Sequence, residues 1–266
     1  MLKKLALKLK AFREIIHHFE NPWLTLMLRS GWLRLPVFPY RLKVRDQSFH
    51  MLARPSRATM SDLFVLREVF IQETYRDVLP LLSKRPLRIV DVGANLGSFT
   101  IWLHRRHGVA EAHCFEPEPT SFRLCRYNLA ANDCPFAEVA PKAVGGQRRQ
   151  LMMRVNTSRP GGNSIYASVG AGEDVREVEV VAFGEWLNTV PSSFDLLKLD
   201  CEGAEWEIAT TLPEQAARFP VVVAEIHDDP AGKFRVDGFP RLMEKFGFKT
   251  VRWDGHAQGL YLGART

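Results

Sequence analysis

Side chains capable of acid–base chemistry end or directly follow several short apolar runs of this sequence. These runs are rich in Val, Ile and Leu, as buried strands are, and the residues that terminate them are Asp91, Glu116, Asp200, Glu202, Glu225 and His227. In an open sheet of parallel strands, ligands bind at the carboxyl ends of the strands, beside the point where strand order reverses. We therefore expect these side chains to share one sheet edge, where they could bind a ligand and move a proton.

The segment from Asp91 to Phe99 predicts a tight turn between a strand and a helix. Gly93 and Gly97 have no Cβ, so the backbone can approach a ligand closely, and the helix N-terminus directs free N–H groups at the same spot. An acid at the tip of the second strand, Glu116, can accept hydrogen bonds from both hydroxyls of a ribose. Asp91 would repel phosphate but suits an ammonium group. Ribose and ammonium without phosphate indicate S-adenosylmethionine, and the predicted cofactor-binding residues of this turn are Asp91, Gly93, Asn95, Gly97 and Glu116.

Further motifs place the chain near a known family. With the glycine turn, the sequence resembles the FkbM-type S-adenosylmethionine-dependent methyltransferases through the runs DLLKLDCEGAEW, CFEPEP and VVVAEIH. The likeness extends from about Arg57 to the C-terminus, and LKLDCEGAE is its most specific part. It implies a class I methyltransferase fold and methyl transfer to a hydroxyl of a sugar or natural product. It also implies a helix that closes over the cofactor, with Asp62 and Tyr75 at the rim, although a helix cap and a half-buried aromatic explain these two equally well.

Transfer of a methyl group to an alcohol requires a base that removes the hydroxyl proton in the transition state. Asp200 and His227 are equally good candidates, with Glu225 orienting whichever is not the base and Glu202 beside them. A rival interpretation uses the same four side chains as ligands of Mg²⁺ or Mn²⁺. Their spacing is not diagnostic of a metal site, so no metal is predicted. Lys198 is either the buried partner of an acid or an exposed charge.

The region after residue 57 alternates strands and helices. This alternation predicts an α/β, Rossmann-like class I methyltransferase sheet, mostly parallel, with a C-terminal antiparallel strand. The predicted strands are Ile89–Gly93, Ala112–Glu116, Glu138–Val144, Leu196–Asp200, Val221–Ile226, Lys249–Trp253 and Gly259–Gly263, and the helices follow the glycine turn, Pro119, Gly203 and Asp237. Two additional strands, Leu151–Val155 and Val175–Phe183, flank a glycine-rich loop at Ser158–Ser164 that is either a substrate lid or a plain loop.

Residues 1–56 are predicted to form a separate basic arm and hairpin ahead of a methyltransferase domain at 57–266. Residues 2–19 have the pattern of a basic amphipathic helix, Tyr40–Val44 and Ser48–Leu52 that of a hairpin, and Ser61-Asp62 begins a helix that extends to Tyr75. Residues 1–57 hold 12 Lys and Arg against three acids, which leaves residues 58–266 with 24 against 27. Because the basic charge lies outside the catalytic region, nucleic acid is not an expected partner.

The arm allows two interpretations. It packs on the catalytic domain or on a second subunit, which would make a homo-oligomer, or it contacts an anionic membrane surface peripherally. The chain has no 18-residue apolar run and no secretory signal, and its four cysteines form no zinc-binding pattern, so a cytoplasmic protein is expected. The alternative to an enzyme is a non-catalytic cofactor-binding scaffold tethered to a membrane or to glycan-synthesis partners.

Overall fold

The computed structural model describes residues 2–55, 62–155, 174–190, 193–212, 215–228, 232, 235–255 and 259–265, with side chains from residue 6 onward. Eight α-helices and twelve strands are defined within these ranges. They are α1 (Leu2–His18), α2 (Pro22–Ser30), β1 (Phe38–Val44), β2 (Gln47–Ala53), α3 (Asp62–Leu66), β3 (Leu87–Val92), α4 (Ser98–Arg106), β4 (Val109–Phe115), α5 (Pro119–Ala131), β5 (Ala137–Ala140), β6 (Ala143–Gly145), β7 (Arg149–Arg154), β8 (Val175–Ala182), α6 (Phe183–Thr189), β9 (Leu196–Leu199), α7 (Glu205–Thr211), β10 (Val221–Ile226), α8 (Phe239–Lys245), β11 (Phe248–Trp253) and β12 (Gly259–Arg265).

A seven-stranded sheet in the order β11-β12-β10-β9-β3-β4-β5 forms the centre of the fold. β12 runs antiparallel to both of its neighbours, whereas the pairs β10–β9, β9–β3, β3–β4 and β4–β5 are parallel. This arrangement confirms the predicted class I methyltransferase sheet with its C-terminal antiparallel strand. Strand order reverses between β3 and β9, so the expected ligand site lies beyond the carboxyl ends of these two strands.

Both faces of the central strands are covered, which explains why the strands read as continuous apolar runs. All four residues of β9 are buried, and β10 is buried except at Glu225. Ile89 and Leu196 belong to a core cluster on one face, which contains Trp102 of α4. Val90 and Leu197 belong to the cluster on the other face, which contains α7 and α8 side chains. The two apolar layers therefore hold β3 and β9 side by side.

The predicted strand Glu138–Val144 is wrong in one respect, because the chain changes sheets within it. β5 ends at Ala140 in the central sheet, and β6 starts at Ala143 in a separate three-stranded sheet of order β6-β8-β7. Pro141 lies at the break, where its missing N–H cannot continue the ladder. The additional strands predicted around the glycine-rich loop are confirmed as β7 and β8, while Ser158–Ser164 lies outside the described residues.

The helix predicted from Ser61-Asp62 to Tyr75 is shorter than expected. After α3 the chain makes one π-helical turn, Arg67–Ile71, and the helix ends. Glu73 has φ of +51°, a left-handed conformation that no α-helix continues. Tyr75 therefore lies in a turn ahead of the short 3₁₀ segment Arg76–Leu81. The proposed cap Ser61 lies outside the described residues.

The N-terminal arm and hairpin pack on the catalytic domain. Two amide side chains, Asn128 in α5 and Asn132 directly after it, bind the backbone of β2. Asn128 accepts from Leu52 N at 2.7 Å, and Asn132 donates to His50 O at 2.7 Å. The α1 residue Ile15 and the hairpin share a core cluster with the central sheet. The boundary at 56/57 thus remains a prediction, and residues on both sides of it share one core. Among the described residues, no helix is long and apolar enough to cross a membrane.

Candidate active site

The glycine turn after β3 brings the end of β9 against it. Gly93 has φ of +77°, and a Cβ there would lie 1.7 Å from the backbone oxygen of Asp200. Gly97, with φ of +76°, precedes α4 and faces Cys125 and Leu129 of α5, whose side chains a Cβ would meet at 3.2 Å. The sequence predicted that these glycines let the backbone approach a ligand. In the structure they also allow close packing, of the Asp200 backbone against the turn at Gly93 and of α5 against the turn at Gly97.

Glu116 organises the same turn from the tip of β4. One carboxylate oxygen accepts from Asn95 N at 2.8 Å and the other from Glu118 N at 2.8 Å. Burial raises the pKa of Glu116 to about 7. An ionised carboxylate offers about four lone-pair positions, so two remain for further donors such as ribose hydroxyls. Glu116 therefore follows β4 with acceptor capacity to spare, and its role in binding a ribose stays a prediction.

Asp91 faces the protein interior rather than a ligand. Its side chain has no exposed surface, accepts a hydrogen bond from Thr100 Oγ1 at 2.8 Å and lies 3.2 Å from Lys198 Nζ. Direct contact of Asp91 with a ligand ammonium, as predicted, is thus not what the structure shows. Lys198 is the buried partner of acids. Burial alone would lower its pKa, but the charges of Asp91 and Asp200 raise it above the ordinary value.

Two cavities meet at the carboxyl ends of β3 and β9. The smaller, about 70 Å³, is lined by Glu116, Pro117 and Lys142, and the larger, about 380 Å³, by Glu68, Tyr75 and Glu225. Four residues line both: Gly93, Asn95, Asp200 and Glu202. The larger volume is within the range of small-molecule sites. One elongated ligand could therefore pass the glycine turn with an end in each cavity.

Two buried polar atoms of the turn have no hydrogen-bond partner among the described residues. They are Asn95 Oδ1 and Ser98 Oγ, and both residues line the larger cavity. Asn95 adopts a left-handed conformation, φ +49°, and Ser98 is the first residue of α4. A buried polar atom without a partner is costly, so these two atoms favour a ligand that supplies hydrogen bonds there.

Asp62 and Tyr75, the two rim candidates, have different surroundings. Asp62 is fully buried and binds the Arg54 guanidinium at 2.9 and 3.0 Å. Arg54 also donates to Glu118 at 3.0 Å, so the ion pairs tie α3 to the start of α5. Tyr75 lines the larger cavity with its ring edge-on to Phe99, centroids 5.0 Å apart. The structure places Tyr75 at the cavity and Asp62 in its supporting wall.

His227, which follows β10, is held by an acid that the sequence argument missed. Its Nδ1 donates to Glu205 Oε1 at 3.2 Å, and Glu205 also accepts from Cys201 N at 2.7 Å and Gly203 N at 2.9 Å. Burial by itself lowers the pKa of His227, but the hydrogen bond and charge of Glu205, with Glu202, raise it to about 10. At neutral pH the imidazole is therefore a cation and cannot accept a proton. The only sequence signal for Glu205 is its place as the second acid in the run CEGAE.

Three carboxyl groups around the larger cavity hold their protons unusually tightly. Burial raises the pKa of Glu68 and of Glu202 to about 7. The charge of Asp200, followed by burial, raises the pKa of Glu225 to about 8. His227 Nε2 lies 3.7 Å from Glu202 and 3.9 Å from Glu225. Glu68 is a further residue that the sequence argument missed, because it lies on the π-helical turn that no sequence pattern indicated.

The metal hypothesis required Asp200, Glu202, Glu225 and His227 to act as ligands of one ion. Within the described parts of the chain, no group of three or more His, Cys, Asp and Glu side chains is arranged to hold a metal ion. His227 contacts Glu205 with Nδ1, which leaves only Nε2 to face the other three side chains.

Comparison with known proteins agrees with this geometry. The family model described as the methyltransferase FkbM domain matches residues 91–250. Methyltransferase 1 of Beauveria bassiana is 26% identical over 186 residues, covering 63% of this chain and 73% of that protein. The 31-O-demethyl-FK506 methyltransferase FkbM of Streptomyces tacrolimicus is 26% identical over 214 residues, covering 66% of this chain and 81% of that one.

A solved structure from Streptococcus mutans, described as an S-adenosylmethionine-dependent methyltransferase, shares the fold. It aligns with a TM-score of 0.51 at 9% identity, over 87% of this chain and 56% of that one. At this identity the likeness shows the fold alone.

Proposed function

Because this chain belongs to the FkbM family of methyltransferases, we propose that it transfers the methyl group of S-adenosylmethionine to a hydroxyl of a saccharide or other natural product. The observation that carries the proposal is that two cavities meet at Asp200. One contains Glu116, the acid expected to bind a ribose, and the other is lined by several carboxyl groups. The name of the Streptomyces tacrolimicus relative describes O-methylation of a natural product, which supports a hydroxyl acceptor here.

The residues present fit this cofactor. Glu116 has two free acceptor positions for the ribose hydroxyls, and Asn95 Oδ1 and Ser98 Oγ are buried atoms that require partners. The carboxyls of Glu68 and Asp200 give the larger cavity the negative character that suits the sulfonium and ammonium charges. When bound, the cofactor supplies an already activated methyl group. The protein must then orient the acceptor and remove one proton.

Asp200 is the proposed base. It lines both cavities, its side chain is partly exposed, and Lys198 Nζ lies 3.5 Å from its Oδ2. The acceptor hydroxyl would transfer its proton to the Asp200 carboxylate while the hydroxyl oxygen takes up the methyl group. His227 is a cation at neutral pH, and Glu225, with a pKa of about 8, is mostly protonated. A protonated Glu225 can donate a hydrogen bond to an acceptor oxygen and so orient it.

A labelled-methyl assay with the full chain and a panel of hydroxylated glycans and natural products tests the proposal. Asp200→Asn should keep cofactor binding but slow turnover by on the order of 10²-fold or more. Asp237→Asn is the matched control, because that carboxylate is exposed and lies outside both cavities. Unchanged turnover of Asp200→Asn would remove Asp200 as the base. Binding of cofactor without label transfer to any hydroxyl would favour the scaffold alternative.

A further inference from the structure

Exposed apolar side chains concentrate at the N-terminus. Of the eleven exposed large apolar residues in the described part of the chain, seven lie between residues 7 and 35: Leu7, Leu9, Phe12, Trp23, Met27, Trp32 and Leu35. Trp23 is 69% exposed and Trp32 is 85% exposed. Single exposed apolar residues are normal, whereas a contiguous group of them marks an interaction surface. We call these seven residues, with the basic side chains between them, the arm surface.

The fold covers only part of the apolar surface of α1. Ala11 and Ile15 are buried against the body of the protein, whereas Leu9 and Phe12 are 56% and 43% exposed. In α2, Leu28 is buried while Trp23 is not. Both helices therefore pack on the protein with one side and present apolar side chains to solvent with another. Packing of the arm on the catalytic domain therefore explains its buried side chains but not its exposed apolar ones.

The arm surface is also positively charged. Residues 1–35 contain seven Lys and Arg against two acids. Both acids have cationic partners: Glu14 pairs with Arg67 and, at 3.9 Å, with Lys10 of the arm itself, and Glu20 pairs with Arg41 and Lys43 at 3.7 Å. Lys8 and Lys10 are exposed beside Leu7 and Leu9. In the described part of the arm, the outward side thus combines aromatic, aliphatic and cationic groups, and each acid has a cationic partner.

We propose that the arm surface docks on an anionic lipid bilayer. Tryptophan and leucine side chains enter the headgroup region, and lysines between them neutralise lipid phosphates. A second copy of the chain is a poorer occupant, because a two-fold interface would place the same cationic surface against itself. The ion pair of Glu14 with Arg67 joins α1 to the turn that carries Glu68. Docking would therefore tie one wall of the methyltransferase cavity to the membrane-bound helix.

Sedimentation of the full chain with vesicles tests the proposal. Binding is expected to phosphatidylcholine vesicles that contain phosphatidylglycerol, to be weak on phosphatidylcholine alone, and to be released by high salt. Reversing Lys8 and Lys10 to Glu should weaken binding roughly tenfold or more, since each basic residue near an anionic surface contributes several-fold. The matched control is Lys245→Glu with Lys249→Glu, which makes the same charge change at exposed positions of the catalytic domain.

The aromatic contribution is tested separately. Trp23→Ser with Trp32→Ser should also lose roughly tenfold or more in vesicle affinity, and the blue shift of tryptophan emission on adding anionic vesicles should disappear. Tyr127→Ser, an exposed aromatic on α5, should behave as wild type. Absence of binding by the full chain to anionic vesicles overturns the proposal. So does a dimer in solution that the tryptophan variant dissociates. Neither result depends on methyl transfer.

Discussion

The buried pair of Glu205 and His227 should make the stability of the protein strongly dependent on alkaline pH. The pKa of His227 is about 10 in the folded protein against an ordinary value of 6.5. At about 1.4 kcal/mol for each pH unit, this difference corresponds to about 5 kcal/mol of folding free energy. Because the folded-state pKa is raised, the contribution is complete below pH 6.5 and is lost as the pH rises through 10.

Glu205→Gln removes the negative charge while keeping the volume. The amide oxygen can still accept from one of the two backbone N–H groups, but the NH₂ group then faces the other, and the imidazolium loses its counterion. Removing one partner of a buried ion pair costs about 3–5 kcal/mol. We therefore expect the variant to be less stable than wild type by about this amount at pH 7, and by much less at pH 10.

Urea unfolding at a series of pH values between 6 and 10 measures both effects. Glu207→Gln is the control in the same helix, since Glu207 pairs with Arg149 near the surface at 2.7 Å and such pairs contribute little. The control should keep the wild-type pH dependence. If Glu205→Gln also keeps it, or if nuclear magnetic resonance shows His227 of the wild type titrating near pH 6.5, the account of this pair is wrong.

Two further substitutions test the turn after β3. Glu116→Ala should weaken S-adenosylmethionine binding by roughly 1–3 kcal/mol, as loss of a charged acceptor does, and calorimetry showing unchanged affinity in a folded variant would refute the ribose role. Gly93→Ala should destabilise the fold by on the order of 3 kcal/mol, because its Cβ would meet the Asp200 carbonyl at 1.7 Å. Gly108→Ala is the control, with φ of +99° and open space around the Cβ, and equal loss of melting temperature in the two variants would exclude the contact with Asp200 as the cause.

Much of the fold could be predicted because local sequence patterns indicate it. The strands of a sheet covered on both faces are continuous apolar runs, and the glycine turn and Glu116 follow two such runs directly. The rule that ligands lie at the carboxyl ends of parallel strands then placed Asp200 and Glu225 correctly at one cavity. The change of sheets at Pro141 had a local signal as well, since proline cannot continue a ladder.

The rest depended on tertiary contacts that spacing does not reveal. Whether Lys198 is buried or exposed could not be predicted from the alternation of apolar and polar residues, because every residue of β9 is buried and neither face of the strand is exposed. Asp91 was assigned to a ligand because its partners Thr100 and Lys198 become neighbours only in the folded sheet. The same is true of Glu205, which meets His227 from a helix 22 positions earlier in the chain.

Calorimetric titration of the full chain with S-adenosylmethionine, in buffers of different ionisation enthalpy, tests the central claim most directly. A cation bound beside Glu68 and Glu202, whose pKa values are both about 7, should favour their ionised forms. The account therefore predicts a 1:1 complex that releases protons at pH 7 and an affinity that falls as the pH drops below 7. A folded protein that takes up no S-adenosylmethionine, or that binds it with no proton release and no pH dependence, would contradict it.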